Sequence, residues 1–210
     1  MIPPRVRAVI ADCKGFLDEE EGLRLAELAR DHAALGPILE IGSYCGKSAL
    51  YLGSGVQPTR GVLVCVDHHR GSEEHQPGEL YHDPDLFDSV SGRMDSLPQL
   101  RRNLFAAGLE DCTILLVAPS RQAASVWARP LGMIFIDGGH SDVAAHGDYE
   151  AWSPHLAPGG VLAIHDLFPD PNEGGQAPIE VYRRALRSGD YEELTSTRTL
   201  GVLRRKAASG

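Results

Sequence analysis

Residues 37–50 read PILEIGSYCGKSAL. A short apolar run, Ile38 to Ile41, stops at Gly42; a second glycine follows at Gly46, and the apolar residues after it are spaced for a helix. Strand, glycine turn and helix in this order are the opening unit of an open α/β sheet, whose ligands sit beyond the carboxyl ends of its strands. The ligand held by this turn is therefore the first question about function.

Two common answers fit poorly. A P-loop needs GxxxxGK[ST] so that successive amides and the lysine wrap a phosphate chain. Here Gly42 and Gly46 enclose three residues rather than four, although Lys47 and Ser48 follow as they would in that motif. The dinucleotide pattern GxGxxG needs a second glycine for close approach of a pyrophosphate, and Tyr44 stands there. Glu40, two residues before Gly42, belongs to neither pattern.

Working outward, four more apolar runs follow: GVLVCVD (61–67), CTILLVA (112–118), GMIFIDG (132–138) and GVLAIHD (160–166). All are continuous rather than alternating, as expected of strands covered on both faces. Helical stretches at 46–56, 96–107, 120–128 and 142–156 separate them, which predicts right-handed crossovers and a doubly wound, mostly parallel sheet. A helix near 179–188 and two antiparallel strands, with their turn around Leu200–Gly201, complete seven strands. A helical lead-in occupies 1–35. Its main helix, about 18–34, begins with acidic residues suited to a positive helix end and buries either Leu23, Ala26 and Leu28 or Leu25, Leu28 and Ala29. The 210 residues form one domain on this reading. The single long interruption, 68–95, is rich in His, Pro and Gly and is expected to be a lid or specificity loop.

Composition narrows the partners. With 29 acidic against 20 basic residues the net charge is −9, which gives no footprint for nucleic acid or an anionic membrane. No run reaches the roughly 20 apolar residues of a membrane span, and the amino terminus lacks a signal-peptide core, so a cytoplasmic protein with a small polar substrate is expected. Cys13, Cys45, Cys65 and Cys112 form no CxxC pair and are expected to be reduced and buried. Cys45, close to a helix amino terminus, is the one thiol placed to act as a nucleophile, but a small residue filling a tight turn is the better reading.

The residues ending each strand are Glu40 to Ser43, Asp67 and His68, Pro119 and Ser120, Asp137 to His140, and His165 with Asp166. Acids or histidines close four of these five strands, which points to a functional rim rather than to packing alone. Asp137, His165 and Asp166 offer two carboxylates and an imidazole, a set that suits Mg²⁺ or Mn²⁺. His140, on the turn opening the next helix, is suited to take a proton from a hydroxyl.

Taken together, ExGxxxG, the acid at 67, Ser120, IDGGHS and PGGVLAIHD resemble the class I S-adenosylmethionine-dependent methyltransferases over residues 35–206. The resemblance implies a Rossmann-like methyltransferase sheet. It places Glu40, Gly42 and Ser43 at the methionine end of the cofactor, Asp67 and His68 at the ribose and Ser120 at the adenine. Lys47 and Ser48 become ordinary first-turn helix residues. The fourth and fifth rims are similar to those of metal-assisted O-methyltransferases of the catechol and macrolide-sugar kinds. That similarity implies a divalent metal, Mg²⁺ first, on Asp137, His165 and Asp166, with Asp137 and His140 catalytic. Few aromatics and a His- and Asp-rich entrance favour a sugar or oligosaccharide acceptor such as a mannoside, with a catechol or other vicinal diol as the near alternative. A P-loop-like kinase and a non-catalytic cofactor-binding module are the more distant ones. Small enzymes of this class are often homodimers, so a second copy is the macromolecular partner the resemblance brings.

Overall fold

The computed structural model describes residues 1–72 and 83–207. In chain order the helices are α1 (Pro4–Asp12), α2 (Glu19–His32), α3 (Lys47–Val56), α4 (Leu97–Ala107), α5 (Ser120–Ser125), α6 (Asp142–Trp152) and α7 (Ala177–Arg187). The strands are β1 (Ile38–Ile41), β2 (Leu63–Val66), β3 (Phe87–Asp88), β4 (Arg93–Met94), β5 (Thr113–Leu116), β6 (Leu131–Ile136), β7 (Leu156–Ile164), β8 (Tyr191–Thr197) and β9 (Leu200–Arg205). Seven of them form one sheet in the order β5-β2-β1-β6-β7-β9-β8, and β3 and β4 pair as a separate hairpin. The first five strands of the sheet run parallel, whereas β9 joins β7 antiparallel and β8 joins β9 antiparallel. This is the doubly wound sheet with an antiparallel terminal pair that the sequence predicts.

The continuous apolar runs have a direct cause. Successive residues of a strand point to opposite faces, and helices cover both. Ile38, Cys65, Phe135 and Ala163 share one core with residues of α1 to α4, while Leu39, Val64, Ile134 and Leu162 share the other with α5 to α7. From β1 the chain winds out to β2 and β5, then returns to β6 beside β1 and winds the other way. The crevice where the direction reverses lies at the ends of β1 and β6, the usual ligand position in such sheets.

Three local expectations are corrected. First, β7 starts at Leu156, so the PGG segment at 158–160 lies within the strand, and α6 ends at Trp152, two residues before Pro154. A proline cannot donate the next helical hydrogen bond, which ends the helix there. Second, the turn between β8 and β9 falls at Arg198 and Thr199 rather than at Leu200–Gly201, with Arg198 at φ 51°. Third, of the two faces offered for α2, Leu25, Leu28 and Ala29 are buried and Leu23 is exposed. Within the described parts of the 68–95 segment, Leu86, Met94 and His69 are buried. His75 and His82 lie outside the described residues. No helix among the described residues is long and apolar enough to cross a membrane.

Candidate active site

The sheet's hydrogen-bond ladder continues one residue past the strand ends. The amides of Gly42, Asp67, Asp137 and His165 donate to Val66, Leu116, Ile41 and Ile136 of the neighbouring strands. The rim is therefore held by backbone bonds, and its side chains project from fixed points.

At β1 the glycine turn packs against the end of β6. A Cβ on Gly42 would meet the Asp137 carbonyl oxygen at 2.2 Å, and Gly42 has φ 87°, so only glycine fits. Tyr44 adopts φ 47°, the conformation a glycine takes without cost. Asp67 closes this turn from β2. Its Oδ2 accepts the amides of Ser43 (3.0 Å) and Tyr44 (2.9 Å), and its Oδ1 accepts that of His69 (2.7 Å). Glu40 lies fully buried beneath, with Oε1 accepting the Ser48 hydroxyl at 2.6 Å. Its Oε2, like the Ser43 Oγ, is buried without a hydrogen-bond partner. Burial pushes the Glu40 carboxyl up to about 7. Two orphaned polar atoms under a glycine turn suit a polar ligand group, because a buried group left unpaired costs free energy.

Lys47, the residue that suggested a P-loop, donates instead to the Gly15 carbonyl at 3.2 Å. Cys45 is buried, and burial pushes its thiol up to about 12, so it is the turn-filling residue and not an activated thiol. All four cysteines are free and buried. His68 is exposed, with Nδ1 accepting the Arg70 amide; its neighbour His69 is the buried one, bonded through Nδ1 to the Ser96 hydroxyl at 2.8 Å. Ser120 opens α5, and its Oγ accepts the indole N–H of Trp152 at 2.8 Å. Beside it Asp148 of α6 is buried, its carboxyl pushed up to about 6 by burial against the opposing pull of Ser120 and Arg121.

At β6 and β7 the acids and imidazoles come together. His140 Nε2 lies 3.0 Å from Asp166 Oδ2. His165 Nδ1 lies 3.0 Å from Asp137 Oδ1 and 3.4 Å from Asp166 Oδ1, while its Nε2 lies 2.9 Å from Glu21 Oε2 of α2. Burial alone would lower His165, but the charge of Asp137 and the bonds from Asp137, Asp166 and Glu21 push it up to about 12. Burial would raise Asp166, yet the bonds from His140 and His165 hold it well below the usual carboxylate range. Burial wins at Asp137, which is raised despite His165.

Of the residues expected to hold a metal, Asp166 faces both His165 and His140. A ligand nitrogen needs a lone pair, and both nitrogens of His165 are taken by carboxylates. Among the described residues, possible ligand atoms lying within 4.8 Å of one another come from Asp137, His140 and Asp166. The two carboxylates fit Mg²⁺ or Mn²⁺, which accept few protein ligands and retain water. Glu21 and Asp148 reach the site from helices and are not among the strand-end residues. Glu21 was visible only as part of an acidic helix start; the D-x-x-E spacing from Asp18 marks it as a capping-box residue, a role it has.

Residues 39–167 match the family model described as "Methyltransferase domain". The chain belongs to this methyltransferase family. Solved structures share its fold. A Podospora anserina methyltransferase with SAH bound superposes with a TM-score of 0.69 at 17% identity, covering 98% of this chain and 89% of that one. An O-methyltransferase of Streptomyces achromogenes involved in tomaymycin synthesis, in complex with SAM, gives 0.63 at 17% identity, covering 98% and 91%. A Bacillus cereus O-methyltransferase with SAH gives 0.61 at 19% identity, covering 97% and 91%. The seven-stranded sheet of this methyltransferase is thus the Rossmann-like one expected of its family.

Proposed function

We propose that this methyltransferase moves a methyl group from S-adenosylmethionine to a hydroxyl of a polar small molecule, with divalent-metal assistance. The observation that carries the reading is the His140–Asp166 pair, 3.0 Å apart, at the rim beside the glycine turn. The turn supplies the cofactor cradle. The orphaned Glu40 Oε2 and Ser43 Oγ lie beneath the methionine end, and Asp67, anchored by three amides, keeps acceptor capacity for ribose hydroxyls. Ser120, fixed by Trp152, marks the adenine side.

Asp166, 3.0 Å from His140 Nε2, orients this imidazole, and His140 is assigned the role of proton acceptor. The acceptor hydroxyl loses its proton to the His140 imidazole and attacks the methyl carbon. The oxygen–carbon bond forms as the carbon–sulfur bond breaks, and the electron pair remains on sulfur as a neutral thioether. Charge disappears in this step, so exclusion of water favours it, and alignment of oxygen, carbon and sulfur supplies much of the rate. Asp137 and Asp166 would hold the metal, which supplies Lewis acidity toward the acceptor oxygen.

A sugar or oligosaccharide, mannosides among them, fits this rim better than a flat ring: polar groups line it, and only 6% of the chain is aromatic. The test is a methyl-transfer assay with S-adenosylmethionine against mannosides and against catechol. Turnover of a mannoside, lowered at least about 100-fold by His140→Ala and abolished by a chelator until Mg²⁺ is restored, is the expected result. Catechol turnover alone would move the acceptor to vicinal diols, and undiminished activity of His140→Ala would remove the proposed base.

A further inference from the structure

Glu21 lies far from the rim in sequence, 144 residues before His165, yet it reaches the centre of the site. It is only 2% exposed. Its Oε1 accepts both the amide and the hydroxyl of Thr199, each at 2.8 Å, in the turn between β8 and β9. Its Oε2 lies 2.9 Å from His165 Nε2. The capping-box bond from the Asp18 amide to the same oxygen is longer, 3.4 Å, so capping is the weaker of its contacts.

The opposite edge of the His165 ring is what matters for the reaction. One N–H there, on Nδ1, sits between Asp137 Oδ1 and Asp166 Oδ1. If the ring turned over, that N–H would be replaced by carbon, and two neighbouring carboxylates would lose their common donor. Asp166 is also held at φ 59°, a backbone state that persists only where the surroundings fix it. Phe135 lies edge-on to the ring at 6.3 Å and offers it no hydrogen bond. Glu21, itself clamped by Thr199, is therefore the group that sets the ring's orientation.

We propose that Glu21 is a positioning residue for methyl transfer, acting through His165 to hold Asp137 and Asp166 in their working arrangement. The inference rests on the function proposed above, since it needs those carboxylates to serve the reaction. It also gives the amino-terminal helix α2 a part in a site otherwise built from strand ends.

The test uses Glu21→Gln, which keeps the side chain's shape and the acceptor for Thr199, with Glu20→Gln as a control on the exposed side of the same turn. Three quantities are read: turnover, S-adenosylhomocysteine affinity and the His165 ring N–H resonances by NMR. For Glu21→Gln, kcat is expected to fall about 10- to 100-fold, the usual range for groups that orient site residues. Cofactor affinity should stay within about twofold and the Nε2–H resonance should be lost or shifted, while Glu20→Gln changes none of the three. A perturbed ring resonance with unchanged kcat would overturn the proposal. Equal losses of kcat, cofactor affinity and thermal stability would overturn it as well, because they mark a structural role only. A wild-type chain that transfers no methyl group defeats the function proposed above. The ring spectrum still decides whether Glu21 holds His165, and an Nε2 resonance insensitive to Glu21→Gln would end the inference alone.

Discussion

Glu40 is the residue whose energetics depend most on what the site binds. It is fully buried, one carboxylate oxygen has no partner, and burial lifts it from 4.5 to about 7. Between those values the folded chain keeps a proton that the unfolded chain has released. Stability from this group is therefore greatest below about pH 4.5 and falls as pH rises through 7, by ~3 kcal/mol in all. Glu40→Gln should flatten that slope and raise stability near pH 8, read from urea denaturation at pH 5 and 8; an unaltered slope would show that Glu40 is already ionised. A cationic amino group beside Oε2 favours the carboxylate, so cofactor binding near pH 6.5 should release a proton. The sequence showed Glu40 as an acid outside two phosphate motifs, which is how it entered the site. That its second oxygen would be orphaned could not be read, because this depends on the packing of Ser43 and Ser48 over it.

Elements were legible to the extent that both their faces are buried. β1, β2 and β6 read as unbroken apolar runs because two helical layers cover them. The hairpin of β3 and β4 and the short helix α1, with only Val6 and Ile10 buried, carry too few apolar positions to show a period. The β8–β9 turn was misplaced because Thr199 is fixed by Glu21, a contact that no local pattern encodes. Among helices, α6 matters most to the His140 turn, since it begins at Asp142, two residues after His140. Ser141 caps it by accepting the Ala144 amide at 3.4 Å. Ser141→Ala should cost about 1 kcal/mol, measured by denaturant unfolding, and should lower turnover more than cofactor affinity because the His140 turn loses its anchor. Loss of cofactor affinity alone would contradict that placement of α6.

For the whole molecule, the order of strands brings distant chemistry to one rim. Gly42 touches the backbone of Asp137 because β1 lies beside β6, and His165 reaches Asp137 because β7 lies on the other side. Listing strand ends therefore named Asp67, Asp137, His140 and Asp166, which the strand order places along one rim, without any contact map. Residues reaching the rim from helices, Glu21 and Asp148, escaped because a helix carries acids for many other reasons. The same sheet order separates the two halves of the proposed site, with the proposed cofactor cradle at β1 and β2 and the proposed chemistry at β6 and β7. Calorimetric titration of S-adenosylhomocysteine into wild type, Asp67→Asn and His140→Ala tests that division most directly. Binding by wild type and His140→Ala with equal affinity, and at least about tenfold weaker binding by Asp67→Asn, is the predicted result. No binding by wild type, or equal binding by Asp67→Asn, would contradict it.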